Sequence, residues 1–496
     1  MKKSVLRLIA LALVTIMVAA AFIGCSPENE PNPYTDEYTG DVIYVGNTAG
    51  TTGALAAIGG PFNLGIEAAF KEFNDAGGFN GKTVALKHYD DGGVAADSAT
   101  LMEKLIHEDN VFAIVGNFGS NSVAANLSIL KENNIPMVYA AAGNEILFNE
   151  NATATEDKVI FPVQPLNKTE GRSLILRAFA AAPIGLGATK VGVISNSNEA
   201  SQSMLAGIKA EAATLADAKK NNIVYQEVAS DDPTAAINAL KQAGCDTVIV
   251  TTIGADFTTA IAKMVDAACT WKVLTSYNNS SAAIFNTESL EIGGVTYSVM
   301  NTTYATALAS MQIFAQGWIN ITDNNATSTD PAVLATAYKY KGKLVPFYTA
   351  LGQTIDDPLT PEEDQTKYGF TESYWAVAEA IYDYAKAAGK NDAEAFAMSY
   401  DAYALAGYIA GNLFCQALSE MKAQNKTLSR ENLVSILESK EYQIAMADSI
   451  SFANGVRAGV DAFSLTYFYG YNGMAVSGTV TNGVSSIADI KAAIPQ

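Results

Sequence analysis

The 496-residue sequence predicts an α/β protein built from two doubly wound parallel sheets. Short runs rich in Val, Ile and Tyr alternate with segments whose apolar residues recur at helical spacing, which is the pattern of right-handed βαβ units. The alternation begins at Asp41 and restarts near Lys190 after an extended stretch that contains two prolines. The chain is also longer than the roughly 250–300 residues at which a single core stops growing, so two lobes are expected.

Four strand-like runs predict the first sheet. They are Asp41–Asn47, Thr83–Tyr89, Val111–Asn117 and Ile135–Ala140. The segment between the first two carries its apolar residues on one helical face and ends at Gly77-Gly78, a signal for a helix C-cap.

Five further runs predict the second sheet. They are Lys190–Ser195, Asn222–Val228, Thr247–Thr252, Lys272–Ser276 and Gly294–Met300. Val159–Leu166, with its two prolines, suits a crossing between lobes better than a helix. After Asn301 the sequence is mostly helical, and strand-like residues return near Ser464–Tyr471.

The N-terminus predicts export. Basic residues precede an apolar run, Leu8–Phe22, that is shorter than the ~18–20 residues of a membrane-spanning helix, so residues 1–24 are interpreted as a signal peptide. The small residues before Cys25 resemble a lipobox, which implies a diacylglycerol on the Cys25 thiol, although Phe22 replaces the usual Leu. An ordinary secreted or uncleaved anchor segment is the alternative. Residues 25–40 are acidic and contain prolines, which predicts a flexible tether.

Composition excludes several classes of protein. The chain has 31 Lys+Arg against 51 Asp+Glu, a formal net charge of −20, which argues against binding to nucleic acid. Two histidines and four cysteines leave little for zinc or catalytic-triad chemistry, and no cofactor or metal is expected. Cys245, Cys269 and Cys415 lie among apolar neighbours, which favours buried thiols over one disulfide plus one free cysteine.

Known catalytic motifs are incomplete. Gly46–Gly53 is glycine-rich after a strand, but no Lys-Ser/Thr follows, so it is not a phosphate loop. The sequence has no Gly-x-Ser-x-Gly elbow. Asp90 and Asp91 are adjacent and point to opposite faces of a strand, which suits acid–base work poorly.

The folded residues from Asp41 to Asn149 carry a resemblance to a known family. Thr52-Gly53, Ile58-Gly59, Gly65–Ala69, Asn74–Lys82, Tyr89–Asp91, Val115–Ser120 and Ile135–Ala142 follow, in register, the type I periplasmic binding proteins. The sequence resembles in particular the leucine/isoleucine/valine-binding proteins of ABC importers. Tyr400-Asp401-Ala402 and Ser451–Gly455 continue the match near the C-terminus. The similarity thins across residues 165–300 and fails over about 304–369, which is interpreted as an insertion.

The resemblance implies an extracytoplasmic, lipid-anchored solute-binding protein of an ABC importer. Its partners would be permease subunits, the membrane through the lipid anchor, and a small polar solute such as an amino acid or a related amide or carboxylate. Residues 41–162 and 302–445 would form lobe 1, and residues 163–301 and 446–496 lobe 2, with three hinge crossings near 161–166, 299–304 and 444–452. A ligand-binding sensor is the alternative, and a secreted enzyme using the 304–369 segment is a weaker one.

Lobe 1 is expected to hold the ligand first. Ser120 follows a strand and begins a helix, so its hydroxyl and the free backbone N–H groups beside Gly119 can receive a carboxylate. A plain N-cap is the structural alternative for Ser120. By resemblance, the next strand end contributes Ala141 and Gly143. Asn144 either supplies the hydrogen bond that Gly143 cannot make or is a turn residue.

Three departures from the family bear on the ligand. A ligand-flanking tyrosine of the family corresponds to Ile58, and a second-lobe tyrosine corresponds to Ala200. The carboxylate that pairs with an amino-acid ammonium group corresponds to Tyr277, so an α-amino acid would need another acidic partner, since an unpaired buried ammonium is costly. Asp256 or Glu199 could supply that acidic partner, and a helix N-cap is the alternative role for Asp256; Asn198 is a further candidate in lobe 2.

Overall fold

The structure, a computed structural model of the protein, describes residues 32–52, 55–228, 232–292, 295–321, 371–471, 473–480 and 483–495. Five parallel strands form the first sheet, in the order β2-β1-β3-β4-β5. The elements of this part of the chain are β1 (Val42–Ala49), α1 (Ala56–Asp75), β2 (Thr83–Asp90), α2 (Ala95–His107), β3 (Ala113–Phe118), α3 (Ser120–Glu132), β4 (Met137–Ala141), α4 (Thr155–Lys158) and β5 (Ile160–Phe161). Every residue of the central strand β3 is buried, as expected for a parallel strand with helices on both faces.

The second sheet begins after the chain leaves β5. Its first elements are α5 (Asn167–Phe179), β6 (Val191–Asn196), α6 (Glu199–Ala212), α7 (Asp217–Lys220), β7 (Ile223–Val228), α8 (Thr234–Ala243), β8 (Thr247–Val250), α9 (Ala255–Asp266), β9 (Lys272–Thr275), β10 (Glu288–Ile292), β11 (Val295–Val299), α10 (Thr302–Ser310) and β12 (Gln312–Gly317). Strands β7, β6, β8, β9 and β12 lie side by side in that order and run parallel.

The C-terminal part of the chain contributes to both sheets. Its elements are α11 (Glu372–Ala387), α12 (Asp392–Tyr400), α13 (Ala402–Ala423), α14 (Arg430–Leu437), β13 (Glu441–Tyr442), β14 (Ile450–Ser451), β15 (Ala462–Tyr471), β16 (Met474–Thr479), β17 (Ser485–Ser486) and α15 (Ile487–Ala492). Helices α11–α14 pack into the core of the first sheet. Strand β15 pairs antiparallel with β12, β16 and β17. The predicted α/β class is confirmed, and the second sheet gains an antiparallel edge.

Two strand assignments differ from the prediction. Gly294–Met300, predicted as the fifth strand of the second sheet, overlaps β11, which instead forms an antiparallel hairpin with β10. The position beside β9 is taken by β12, where Ile313 and Ala315 are fully buried. Residues 302–317 therefore belong with the second sheet, whereas the prediction assigned them to lobe 1.

The crossings between the sheets also differ. The first lies at residues 162–166, between β5 and α5, while the second lies at 318–321 and not at 299–304. Met446 and Phe452 are buried in the core of the first sheet, and the backbone N–H groups of Asn149 and Arg457 each donate to the other residue's carbonyl oxygen. The third crossing therefore follows Arg457 and not residues 444–452. We call the two halves lobe 1 and lobe 2 with these boundaries.

Part of the predicted tether, residues 25–40, packs against lobe 1. From Asn32 onward it docks on lobe 1, where the rings of Tyr34 and Tyr38 pack against the core. Backbone bonds hold it, from Tyr38 N to Leu428 O at 2.6 Å and from Glu431 N to Tyr34 O at 2.9 Å. The burial of two aromatic rings offsets the cost of ordering this segment. Residues 1–31, with the predicted signal peptide and Cys25, lie outside the described residues.

The three described cysteines are buried and unpaired. Of the two readings left open by the sequence, buried thiols therefore apply to Cys245, Cys269 and Cys415.

Candidate functional site

A cavity of about 830 Å³ lies between the two lobes. The ends of β3 and β4 open into it from lobe 1, and the segments after β8 and β9 open into it from lobe 2. This is where ligands bind in open α/β sheets, because loops and helix N-termini gather at the carboxyl ends of parallel strands.

The N-terminus of α3 opens into this cavity. Gly119 caps the helix with a φ of 96°, a backbone conformation that favours glycine, and no side chain in the described part of the chain accepts a hydrogen bond from the N–H groups of Ser120 and Asn121. Ser120 is the first helical residue and not the cap, so its hydroxyl is not used in capping. Gly119, Ser120 and Asn121 all line the cavity. Their free N–H groups and the helix dipole make this a site for an anion such as a carboxylate.

The end of β4 forms the neighbouring wall. Ala141 and Gly143 line the cavity as predicted. A Cβ on Gly143 would lie 2.4 Å from Oδ1 of Asn167, so the close approach of α5 leaves no room for a hydroxyl-bearing side chain here. Asn144 does not line the cavity. Its Nδ2 lies 3.5 Å from Oε2 of Glu199, so it contacts lobe 2 beside the site and does not replace the missing hydroxyl.

Two of the lobe 2 candidates lie outside the cavity lining. Asn198 caps α6 by accepting a hydrogen bond from Ala200 N at 3.0 Å. Asp256 lies in the first turn of α9, whose cap is Gly254, and accepts a bond from Nδ2 of Asn196 at 2.8 Å. Lobe 2 lines the cavity with small or apolar groups, including Ala200, Ile253 and Gly254, and with polar residues that include Asn278, Ser280 and Ser281.

Tyr277 lines the cavity and joins the two lobes. Its hydroxyl donates to Pro165 O at 2.9 Å and accepts from Nε2 of Gln164 at 3.2 Å. The same Gln164 accepts a bond from the hydroxyl of Tyr139 on β4, at 3.2 Å. Tyr139 has a φ of 64°, a left-handed conformation that is strained for an aromatic residue. Tyr139 lines the cavity, and its hydroxyl contacts the first crossing at Gln164.

Sequence reasoning missed one wall of the site. It is formed by the second crossing and by α12 and α13, through Trp318, Ile319, Ile321, Tyr400, Asp401 and Tyr403. Ile58 and Leu55 face the same cavity from the start of α1. The Tyr400-Asp401-Ala402 match was the available signal for this wall, because it marks the N-terminus of α13.

Asp401 is the one charged side chain among the described residues that line the cavity. It caps α13, and its Oδ1 accepts hydrogen bonds from Tyr403 N at 2.9 Å and Ala404 N at 3.0 Å. Burial raises the pKa of this carboxyl group, although the two backbone donors oppose the shift. Lysine, arginine and histidine are absent from the described lining.

A sequence model of the family described as "Periplasmic binding protein" matches residues 42–309, more than half of the chain. The chain belongs to this family. The predicted resemblance to type I periplasmic binding proteins of the leucine/isoleucine/valine group is thereby confirmed.

Individual curated relatives of this periplasmic binding protein match a smaller part of the chain than the family model does. A Leu/Ile/Val-binding protein homolog 2 of Brucella abortus is 32% identical over 102 residues, which is 21% of this chain and 27% of that protein. The chain thus matches about a quarter of the length of such curated relatives.

Two solved structures share the fold. The fatty acid ABC transporter substrate-binding protein of Thermomonospora curvata has a TM-score of 0.60 at 15% identity and covers 94% of this chain and 97% of its own. A solute-binding protein of an ABC transporter from R. palustris, in complex with 4-hydroxybenzoate, has a TM-score of 0.57 at 14% identity and covers 90% and 97%.

The described residues contain neither a membrane-spanning helix nor a metal-binding cluster. None of the described helices is long and apolar enough to cross a membrane. Within the same ranges, no group of three or more His, Cys, Asp or Glu side chains is placed to hold a metal ion.

Proposed function

We propose that this periplasmic binding protein is the lipid-anchored solute-binding component of an ABC importer, and that its solute carries a carboxylate. The N-terminus of α3, whose cap Gly119 has no side chain, presents Ser120 and its neighbouring N–H groups to the inter-lobe cavity, and this is the observation that carries the proposal. The names of the similar proteins support it, since fatty acids, 4-hydroxybenzoate and branched-chain amino acids all bear a carboxylate.

The rest of the cavity favours a ligand with an apolar or aromatic body. Its walls include Phe118, Tyr139, Trp318 and Tyr403, and its volume of about 830 Å³ lies in the range of sites that take drug-sized molecules. The sequence pointed to a small polar solute. The apolar walls favour a larger carboxylic acid, because apolar surface transferred from water into this cavity stabilises the complex by roughly 25 cal/mol per Å².

Closure of the lobes would couple binding to transport. A ligand that touches α3 in lobe 1 and Tyr277 in lobe 2 binds the closed arrangement better than the open one, and so shifts the hinge equilibrium toward closure. The permease would then recognise the closed form. Cys25 would hold the protein at the membrane, with the docked residues 32–40 keeping lobe 1 close to the anchor. Membrane fractionation of wild type and Cys25→Ser tests this lipid anchor. If the two proteins distribute equally between the membrane and soluble fractions, the anchor at Cys25 is contradicted.

Thermal unfolding with matched ligands tests the carboxylate site. Benzoate and hexanoate in large excess are expected to raise the Tm by roughly 5 °C, whereas benzamide and hexanamide do not. Ser120→Ala is expected to weaken carboxylate binding about 5- to 10-fold, because a charge-assisted hydrogen bond is lost. Ser128→Ala, an exposed position on the same helix, is the control and is expected to bind like wild type. Equal binding of acids and amides would contradict the proposal, as would a ligand consumed during incubation.

A further inference from the structure

The described lining of the cavity carries one negative side chain and no positive one. Asp401 faces it from the N-terminus of α13, and the described lining contains no basic side chain to pair with it. Both backbone donors that reach Asp401 bond to the same oxygen, Oδ1. No hydrogen bond in the described part of the chain uses its other oxygen, Oδ2. The carboxylate therefore keeps an acceptor available to whatever fills the cavity.

Aromatic residues line the cavity that Asp401 faces. Tyr400 and Tyr403 flank it in the chain, and the Tyr403 ring lies 6.0 Å from that of Phe118, the residue before the α3 cap. Trp318 on the second crossing packs 6.2 Å from Tyr139. Aromatic faces attract cations, and a carboxylate among such faces without a basic neighbour is the chemistry of an amine site.

Lobe 2 lines the cavity with no carboxylate among its described residues. At the position where the resemblance implies the family's carboxylate, this chain has Tyr277, whose hydroxyl is bonded to Gln164 and Pro165. Neither Asp256 nor Glu199 lines the cavity. Among the described lining residues, Asp401 in lobe 1 is therefore the one available negative partner for a ligand ammonium group.

We propose that Asp401 is the specificity residue for a ligand amine, so that the solute is a carboxylic acid with an apolar or aromatic body and an ammonium group remote from the carboxylate. The assignment rests on the proposed solute-binding function, with the carboxylate at α3 and the ammonium at α13. An unpaired carboxylate is costly to bury, and an ammonium partner removes that cost, which an uncharged donor does only in part.

Ligands of similar shape that differ in the charge of one substituent test the assignment of Asp401. The probes are 4-(aminomethyl)benzoate, 4-(hydroxymethyl)benzoate and 4-methylbenzoate, with a parallel series of ω-amino, ω-hydroxy and unsubstituted straight-chain acids of increasing length. Calorimetry on the wild-type protein is expected to show the amine bound about 10- to 100-fold more tightly than the methyl compound at the best chain length. Absence of any amine preference across both series overturns the proposal.

Asp401→Asn is the decisive variant, because asparagine caps a helix about as well as aspartate and removes only the charge. It is expected to abolish the amine preference while leaving the affinity for 4-methylbenzoate within about threefold of wild type. Asp97→Asn, an exposed position in the first turn of α2, matches the change in net charge and is expected to keep the preference. An Asp401→Asn protein that loses all three ligands equally would show a purely structural role and overturn the assignment.

The failures of the two proposals are distinguishable. If Ser120→Ala weakens every carboxylate and Asp401→Asn leaves the amine preference unchanged, the solute-binding proposal stands and the assignment of Asp401 falls. If Asp401→Asn removes the preference while Ser120→Ala has no effect, the carboxylate site at α3 falls instead.

Discussion

Glu170 is a fully buried carboxyl group near the start of α5. Its Oε1 accepts a bond from Tyr277 N at 2.6 Å, and its Oε2 accepts one from the Ser276 hydroxyl at 2.8 Å. Burial outweighs these two donors and raises the pKa of Glu170 to about 7, from an ordinary value of 4.5. The folded protein therefore keeps this proton over a pH range in which the unfolded chain has lost it.

The free energy of unfolding is expected to fall by about 3 kcal/mol from this group as the pH rises from about 4.5 to about 7, and to level off above that. The sign follows because the folded state binds the proton more tightly than the unfolded state does. Glu170→Gln removes this dependence. Urea unfolding across this range, on wild type and variant, measures the difference between the two curves. The exposed Glu150→Gln is the control, and parallel curves for wild type and Glu170→Gln would contradict the pKa shift.

The sequence could place some site residues but not others. Ser120, Gly119 and Ala141 are predictable, because a buried strand followed by a helix start locates them at one sheet edge. Asn198 was misplaced, since a polar residue at a helix start often satisfies its own backbone, as Asn198 does at Ala200. Asp401 reaches the cavity through the packing of α13 on α1, a tertiary contact that local pattern does not reveal.

Glycines set how closely the main helices of each lobe approach. In lobe 1, a Cβ on Gly407 of α13 would lie 1.9 Å from Phe62 O, and one on Gly65 of α1 would lie 1.9 Å from Ala404 O. In lobe 2, the Gly171 and Gly207 positions of α5 and α6 would bring a Cβ to 2.0 Å from backbone oxygens. Both lobes therefore bring one helix pair into backbone contact, and in lobe 1 that contact positions the wall that carries Asp401.

Gly407→Ala is expected to destabilise the protein by about 2–3 kcal/mol, because the added methyl group forces α13 away from α1. The affinity for the ligand should fall as well, since the α13 wall moves. Gly60→Ala is the matched control on α1, where nothing lies within 4 Å of the added Cβ. Alanine is the better helix former, so this control is expected to be up to about 1 kcal/mol more stable than wild type. Urea unfolding measures both, and equal stability of the two variants would refute the close-contact argument.

At the level of elements, the strands of both lobes up to β9 follow the predicted alternation except for β5, which lies in the predicted crossing Val159–Leu166, whereas β12 does not follow it. The segment before β12 forms the helix α10, and the prediction extended helical structure through Gln312–Gly317. Pairing with β9 and β15 makes this segment a strand instead of a helix, and it places Ile313 and Ala315 in the core. Such pairing depends on strands elsewhere in the chain, Lys272–Thr275 and Ala462–Tyr471, and is invisible in local periodicity.

Over the whole molecule, the hinge and the cavity share residues. The first crossing carries Gln164, which is bonded to Tyr139 in lobe 1 and to Tyr277 in lobe 2. The second crossing carries Trp318, which lines the cavity and packs on Tyr139. Movement of the lobes therefore changes the surroundings of the ligand-facing rings. The predicted positions of the second and third crossings were wrong because they depended on the assignment of β12 and of residues 446–455.

Tryptophan emission is expected to report ligand binding through one residue. The chain has three tryptophans, and of these only Trp318 lies in the described cavity lining, while Trp271 and Trp375 are buried elsewhere. A ligand that displaces water from the Trp318 ring and closes the lobes around it changes the polarity at this ring alone. A saturable change in emission is expected in wild type and in Trp271→Phe, with the same Kd as calorimetry, and its loss in Trp318→Phe. Trp318→Phe keeps an aromatic wall, so calorimetry should still detect binding there. A full emission change in Trp318→Phe would mean that the ligand binds away from this cavity or that lobe closure changes the environment of another tryptophan. Either result would contradict the proposal that the second crossing forms part of the ligand site.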